Sequence, residues 1–135
     1  MPPSADTAYL DSSALVKLVV LEPESAQLQS YLADWPRRAS SSLARVELVR
    51  AVRARGDAAV QRARRVLTDL YLVRLDDSLL DDAADLDFPG LRSLDAVHLA
   101  SARKLRSDLN RMVAYDRRLT LAAEALGITV DAPGT

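Results

Sequence analysis

The sequence contains no cysteine and a single histidine, His98. The first absence excludes disulfide frameworks, thiolate metal sites and cysteine nucleophiles. The second leaves too little for a histidine-rich zinc site and argues against a Ser-His-Asp triad. Any metal chemistry here therefore falls to carboxylates. Aromatic residues number six, so base stacking on a surface has little to work with. There is no long apolar run: Ala14 to Leu21 is the longest, is broken by Lys17, and is too short to cross a bilayer. Met1-Pro2-Pro3-Ser4-Ala5-Asp6 lacks the basic start and apolar stretch of a signal peptide, so the expected location is the cytoplasm.

Nor does one sign of charge dominate. The 18 Lys+Arg and 19 Asp+Glu leave a formal −1, which argues against a protein that holds nucleic acid by charge alone. What is present is ordinary for a folded chain: 135 residues, 49% hydrophobic and 27% charged, enough for one domain over 1–135 with its own core. The charge is unevenly spread. Residues 37–75 carry ten arginines against Glu47, Asp57 and Asp69, and residues 76–91 carry six aspartates and no base. Such a chain can present a basic face and an acidic site together.

Apolar stretches and punctuating residues predict alternating strands and helices. Thr7-Ala8-Tyr9-Leu10 reads as a buried strand, followed by a helix from Ser12-Ser13 to Leu21. A second helix spans about Ser25 to Trp35 and stops at Pro36. Its apolar positions Leu28, Tyr31, Leu32 and Trp35 fit either the core or a groove for a partner segment. A weak strand at Arg38–Ser41 precedes helices from Ser42 to Arg55 and from Asp57 to Asp69, separated by Gly56. A third strand lies in Leu70–Leu75, and a short helix within Asp76–Asp87. Ser93 caps a helix to Leu105. Met112–Tyr115 is an apolar strand, Leu119–Leu126 a helix ended by Gly127, and Ile128–Val130 a last strand. The pattern predicts an α/β fold: a parallel sheet of four to five strands covered on both faces, in three layers.

In such folds ligands bind beyond the carboxyl ends of the strands. Asp11 directly follows the first strand, and Asp116 follows Met112–Tyr115. Either could simply start a helix. Glu47 and Asp95 sit beside apolar helix positions, where an isolated buried carboxylate costs several kcal/mol unless it is paired or metal-bound. Glu47 could pair with Arg50, and Asp95 could favour the dipole of its helix. Four acids on one sheet edge would otherwise need cations, and an all-oxygen site suits Mg²⁺ or Mn²⁺.

Four segments together carry a resemblance: Tyr9-Leu10-Asp11-Ser12-Ser13-Ala14-Leu15-Val16-Lys17, Ser42 to Val52 around Glu47, Leu94-Asp95-Ala96-Val97-His98-Leu99-Ala100, and Val113-Ala114-Tyr115-Asp116-Arg117-Arg118-Leu119. In order and spacing the chain resembles the PIN-domain family, and within it the VapC toxins of bacterial toxin–antitoxin pairs. That resemblance implies a metal-dependent endoribonuclease with an α/β/α fold. It implies that Asp11, Glu47, Asp95 and Asp116 match the acidic quartet that holds Mg²⁺ or Mn²⁺, and that Ser13 matches a small polar residue supporting the site. It also implies an RNA substrate, a cognate VapB-type antitoxin and a homodimer.

Remaining features have simpler readings. His98, three residues after Asp95, is at metal-ligand spacing, yet reads better as a packed, hydrogen-bonded histidine behind the site. Arg117 and Arg118 are either phosphate contacts or solvated helix-start residues. Contact with RNA is expected mainly at its backbone. Asp76-Asp77 supports a rival, a phosphoacceptor receiver-type domain, but Asp11 is followed by serines rather than a second acid. A non-catalytic protein-binding module of the same fold is the third possibility, opposed by the intact quartet.

Overall fold

The computed structural model describes residues 6–105 and 109–135. Met1 to Ala5, read above as lacking a signal sequence, lie outside the described residues. At the centre is β1 (Thr7–Leu10), buried along its whole length. After it come α1 (Ser12–Val19), α2 (Ser25–Leu32), β2 (Arg37–Ser41), α3 (Ala44–Val52) and α4 (Asp57–Thr68). The remainder is β3 (Tyr71–Val73), α5 (Asp77–Asp85), α6 (Ser93–Lys104), β4 (Leu109–Val113), α7 (Arg117–Ala125) and β5 (Val130–Asp131). The strands form one sheet in the order β3-β2-β1-β4-β5, and every pairing is parallel.

Side-chain alternation along the strands builds two cores. Ala8, Leu10 and Val113 point into a cluster with Leu15, Leu28 and Leu48 on the α1–α4 side. Tyr9, Ala39, Met112 and Ala114 point the other way, toward Leu79, Leu99 and Leu119 of α5–α7. The three-layer α/β/α arrangement follows. Each fully buried leucine contributes about 1.5–3 kcal/mol by leaving water. Leu28 and Leu32 are buried in this core, while Tyr31 and Trp35 stack at 6.0 Å between centroids at its margin. The stripe is therefore split: its leucines are core, and its aromatics pack half-buried against them.

Several boundaries differ from the sequence reading, each for a local reason. β4 lies at Leu109–Val113 rather than Met112–Tyr115, because its first half is polar and the Tyr115 amide leaves the ladder to donate to Ser13 Oγ at 3.0 Å. β5 is Val130–Asp131, shifted by two residues at its start from Ile128–Val130. Helix α2 stops at Leu32, where Trp35 donates back to the Leu32 carbonyl at 2.9 Å in a turn. Ser93 is the first residue of α6 and Arg92 its N-cap, with no side-chain capping bond. Gly56 divides α4 from the 3₁₀ turn Arg53–Arg55 with φ +101°, a conformation that favours glycine.

From β1 the chain moves outward through β2 to β3, then crosses back to β4 on the other side of β1. The reversal makes the β1/β4 boundary the topological switch point, and the crevice beyond the strand ends opens there.

Candidate active site at the β1/β4 switch point

Asp11 is the first residue beyond β1, and its amide donates to the Val113 carbonyl of β4 at 3.2 Å. The strand pairing thus delivers the two strand ends side by side. Asp11 is only 3% exposed. It caps α1: Oδ1 accepts from the Ala14 amide at 3.0 Å and from Ser13 Oγ at 2.6 Å. Because Ser13 Oγ also accepts from the Tyr115 amide, this one hydroxyl ties Asp11 to the end of β4. Burial pushes the Asp11 carboxyl above its usual range. The Ser13 bond, the His98 charge and the Ala14 amide pull it back, and the Asp116 charge pushes it up again.

Glu47 enters from the first turn of α3, half-buried. His98 Nε2 lies 2.7 Å from Glu47 Oε1, and Ser12 Oγ donates to the same oxygen. Burial works against the ionised carboxylate, but the hydrogen bonds from His98 and Ser12 outweigh it and hold the Glu47 carboxyl below its usual range. Tyr9 Oη lies 2.7 Å from His98 Nδ1. Tyr9 is wholly buried, and burial keeps it a neutral phenol. An ionised carboxylate only accepts, so His98 Nε2–H donates to Glu47. The relay Tyr9–His98–Glu47–Ser12 joins β1, α6, α3 and α1 across the sheet edge. His98 is accordingly the packed histidine expected from sequence, and Glu47 pairs with it rather than with Arg50, which is exposed.

Asp95 lies in the first turn of α6, half-buried, and its carboxylate makes no hydrogen bond among the described residues. It precedes His98 by three residues and so shares that side of the helix. Asp116 is exposed and caps α7, with Oδ1 accepting from the Arg118 amide at 2.8 Å and the Leu119 amide at 3.1 Å. Arg117 and Arg118 follow it, both exposed. Among the described residues, no three His, Asp or Glu side chains are close enough to form a ready-made metal cluster. The structure brings Asp11, Ser13 and the end of β4 into direct contact, and Glu47 onto His98. Asp95 stands one turn before that histidine, and Asp116 is near enough to Asp11 for its charge to be felt there.

Ser12 and Tyr9 were not singled out from sequence as holding Glu47. Ser12 reads there only as a helix start and Tyr9 only as a strand residue. Nothing local reveals partners 35 and 89 positions away.

A five-stranded parallel sheet covered by helices on both faces defines the class. The family model described as PIN domain matches residues 8–125, and the chain belongs to the PIN-domain family. Its curated relatives are narrower. Over 125 residues it is 50% identical to Ribonuclease VapC46 of Mycobacterium tuberculosis, covering 93% of this chain and 96% of that protein. It is 44% identical over 130 residues to Ribonuclease VapC35 of the same species, with the same coverage. The crystal structure of M. tuberculosis VapC20, described as a sarcin–ricin loop cleaving toxin, superposes with a TM-score of 0.73. It covers 93% of this chain and 99% of its own, and at 20% identity shows the shared fold.

Proposed function

We propose that the chain is a VapC-type ribonuclease toxin, a divalent-metal-dependent endoribonuclease in which Asp11, Glu47, Asp95 and Asp116 hold the metal. The single nuclease domain spans 1–135. The observation that carries the reading is the carboxylate of Asp11, buried at the switch point beside the charge of Asp116. Each acid has oxygens to spare. Asp11 Oδ2, Glu47 Oε2, Asp116 Oδ2 and both oxygens of Asp95 accept no hydrogen bond among the described residues. An all-oxygen donor set of this kind fits Mg²⁺ or Mn²⁺.

When bound, the ion supplies an activated water and charge neutralisation at the phosphate. The chain's own part is positioning. Ser13 fixes Asp11 Oδ1 and leaves Oδ2 available. His98 and Ser12 fix Glu47 Oε1 and keep that carboxylate ionised. Arg117 and Arg118, exposed directly after Asp116, would take backbone phosphates of RNA as guanidinium forks do.

Partners follow from the same reading: RNA as substrate, a VapB-type antitoxin as restraint, and a homodimer as the assembly. Among the described residues no helix is long and apolar enough to cross a membrane; action on RNA in the cytoplasm is part of the same proposal. Nothing favours the receiver-type alternative. Lys17 Nζ is engaged by Glu24 at 2.5 Å and Glu22 at 3.2 Å, and Asp76 caps α5 beside the edge strand β3.

Incubating the purified protein with defined tRNAs, rRNA fragments and mRNA, in Mg²⁺, Mn²⁺ or chelator, and mapping the new 5′ ends tests the proposal. Cleavage is expected only with metal. Asp11→Asn and Asp95→Asn should each abolish it while circular dichroism stays native. Cleavage in chelator, or full activity of either variant, would overturn the assignment.

A further inference from the structure

Between Ala44 and Thr68 the chain carries seven arginines against Glu47 and Asp57. Glu47 is turned to His98, and Asp57 sits in the first turn of α4. Arg45, Arg50, Arg53, Arg55, Arg64 and Arg65 are all exposed and make no ion pair or side-chain hydrogen bond among the described residues. Lys17 is paired with Glu22 and Glu24, Arg37 with Asp6, and Arg111 with Asp131; other exposed bases without an ion pair, such as Arg74, Arg92 and Arg117, are scattered, whereas α3 and α4 gather theirs on two packed helices. The positive charge of α3 and α4 is thus left for something outside the chain.

Two of these arginines line one groove between the helices. Arg45 of α3 and Arg64 of α4 line a cavity of about 240 Å³ whose other walls are Val49, Leu67 and Thr68. Two guanidinium forks, one from each helix, in a cavity with a partly apolar lining suit a phosphodiester with its sugar better than a lone ion. The groove lies at the same end of α3 as Glu47. Arg45 and Glu47 share its first turn, two residues and so about 200° apart around the helix, which sets the groove and the acid on opposite sides of that end. A strand held by Arg45 and Arg64 therefore reaches the switch point by passing around one helix end.

We infer that the α3–α4 groove, lined by Arg45 and Arg64, binds the phosphate backbone of the RNA substrate on its way to the acidic site. The inference rests on the ribonuclease reading and adds where the RNA lies. The contacts are to phosphate, so they position the strand without reading its sequence.

The test uses a single-stranded RNA and the full chain carrying Asp11→Asn, so that the RNA survives. Affinity is measured across a series of salt concentrations, with and without Arg45→Gln/Arg64→Gln. Each phosphate contact on a single strand contributes about 0.7 to the slope of log K against log salt, so losing two should flatten it by about 1.4. Affinity should fall by a similar factor for unrelated sequences. Arg45→Lys/Arg64→Lys should restore the slope, and Arg103→Gln/Lys104→Gln, at the far end of α6, should leave it unchanged. In the chain with Asp11 intact, Arg45→Gln/Arg64→Gln should raise KM and leave kcat nearly untouched. An unchanged slope in the Gln variants, or an equal loss in the α6 control, would overturn the groove while metal-dependent cleavage still stood. A loss of dimer instead of RNA affinity in the Gln variants would show that the arginines meet the acidic α5 of a second copy, and would also overturn it. Absence of metal-dependent cleavage by the unaltered protein would sink the ribonuclease reading and the groove with it.

Discussion

Asp11 has two duties that oppose each other. As a cap it holds the Ala14 amide and the Ser13 hydroxyl, and as a buried anion it is costly. Burial raises its carboxyl pKa above the ordinary 3.8, so the folded chain holds that proton more tightly than the unfolded chain does. A carboxyl raised in this way contributes stability below its unfolded pKa and loses it as pH rises through the folded value. Asp11→Asn keeps an acceptor for Ala14 and Ser13 but carries no charge. Without metal, this variant should melt higher than the natural chain near pH 7, and the gap should close as pH falls toward about 4, where the aspartate is protonated anyway. Thermal melts in chelator across that range measure it, and an equal or lower Tm at pH 7 would contradict the argument. Added Mn²⁺ should stabilise the natural chain and leave the variant behind. Sequence alone could place Asp11 at a strand end, because strand and helix start are both local patterns. It could not show the Ser13 link to Tyr115, which joins residues 102 positions apart.

At the level of elements, the acids arrive on four different helix starts, of α1, α3, α6 and α7, and at two of these the acid is also the cap. This doubling makes structure and chemistry hard to separate by alanine scanning. Asp116 shows how to separate them. Asp116→Ala removes the acceptor of two α7 amides and should cost about 0.5–2 kcal/mol, as lost caps do. Asp116→Asn keeps the cap and loses only the charge, so its melting temperature should stay near that of the natural chain while cleavage falls as far as in the alanine variant. If Asp116→Asn cleaves normally, Asp116 is a cap and nothing more. The same elements show why the sequence placed helices better than strands. Amphipathic spacing in α4 and the stop at Gly56 are visible over a dozen residues, whereas α2 ends at Leu32, short of Pro36. β4 begins with Leu109-Asn110-Arg111, which has no apolar signature, and becomes a strand through pairing with β1.

Across the whole molecule, charge separation links the site to its substrate. The formal −1 is the sum of a basic α3–α4 stretch, an acidic stretch around α5, the four acids proposed to hold metal, and the rest of the chain. Without the quartet's four charges the formal total becomes +3. A polyanion approaching the metal-free site meets Asp11 and Asp116 undiluted, and at the roughly 8 Å Debye length of physiological salt that repulsion acts only near the site itself. Divalent ions should therefore strengthen binding of uncleaved RNA to the unaltered chain, and should do so most at low ionic strength. Because the quartet must stay unaltered, the RNA is made resistant instead, with phosphorothioate linkages at the mapped cleavage site. Affinity is then compared in Mg²⁺, in Ca²⁺ and in chelator at matched ionic strength. Tighter binding in either divalent ion, with the salt slope preserved, is the expected result, because the phosphate contacts of the arginines do not depend on the metal. Equal affinity in chelator would mean that the acids do not oppose RNA and that the uneven charge of this chain has some other use.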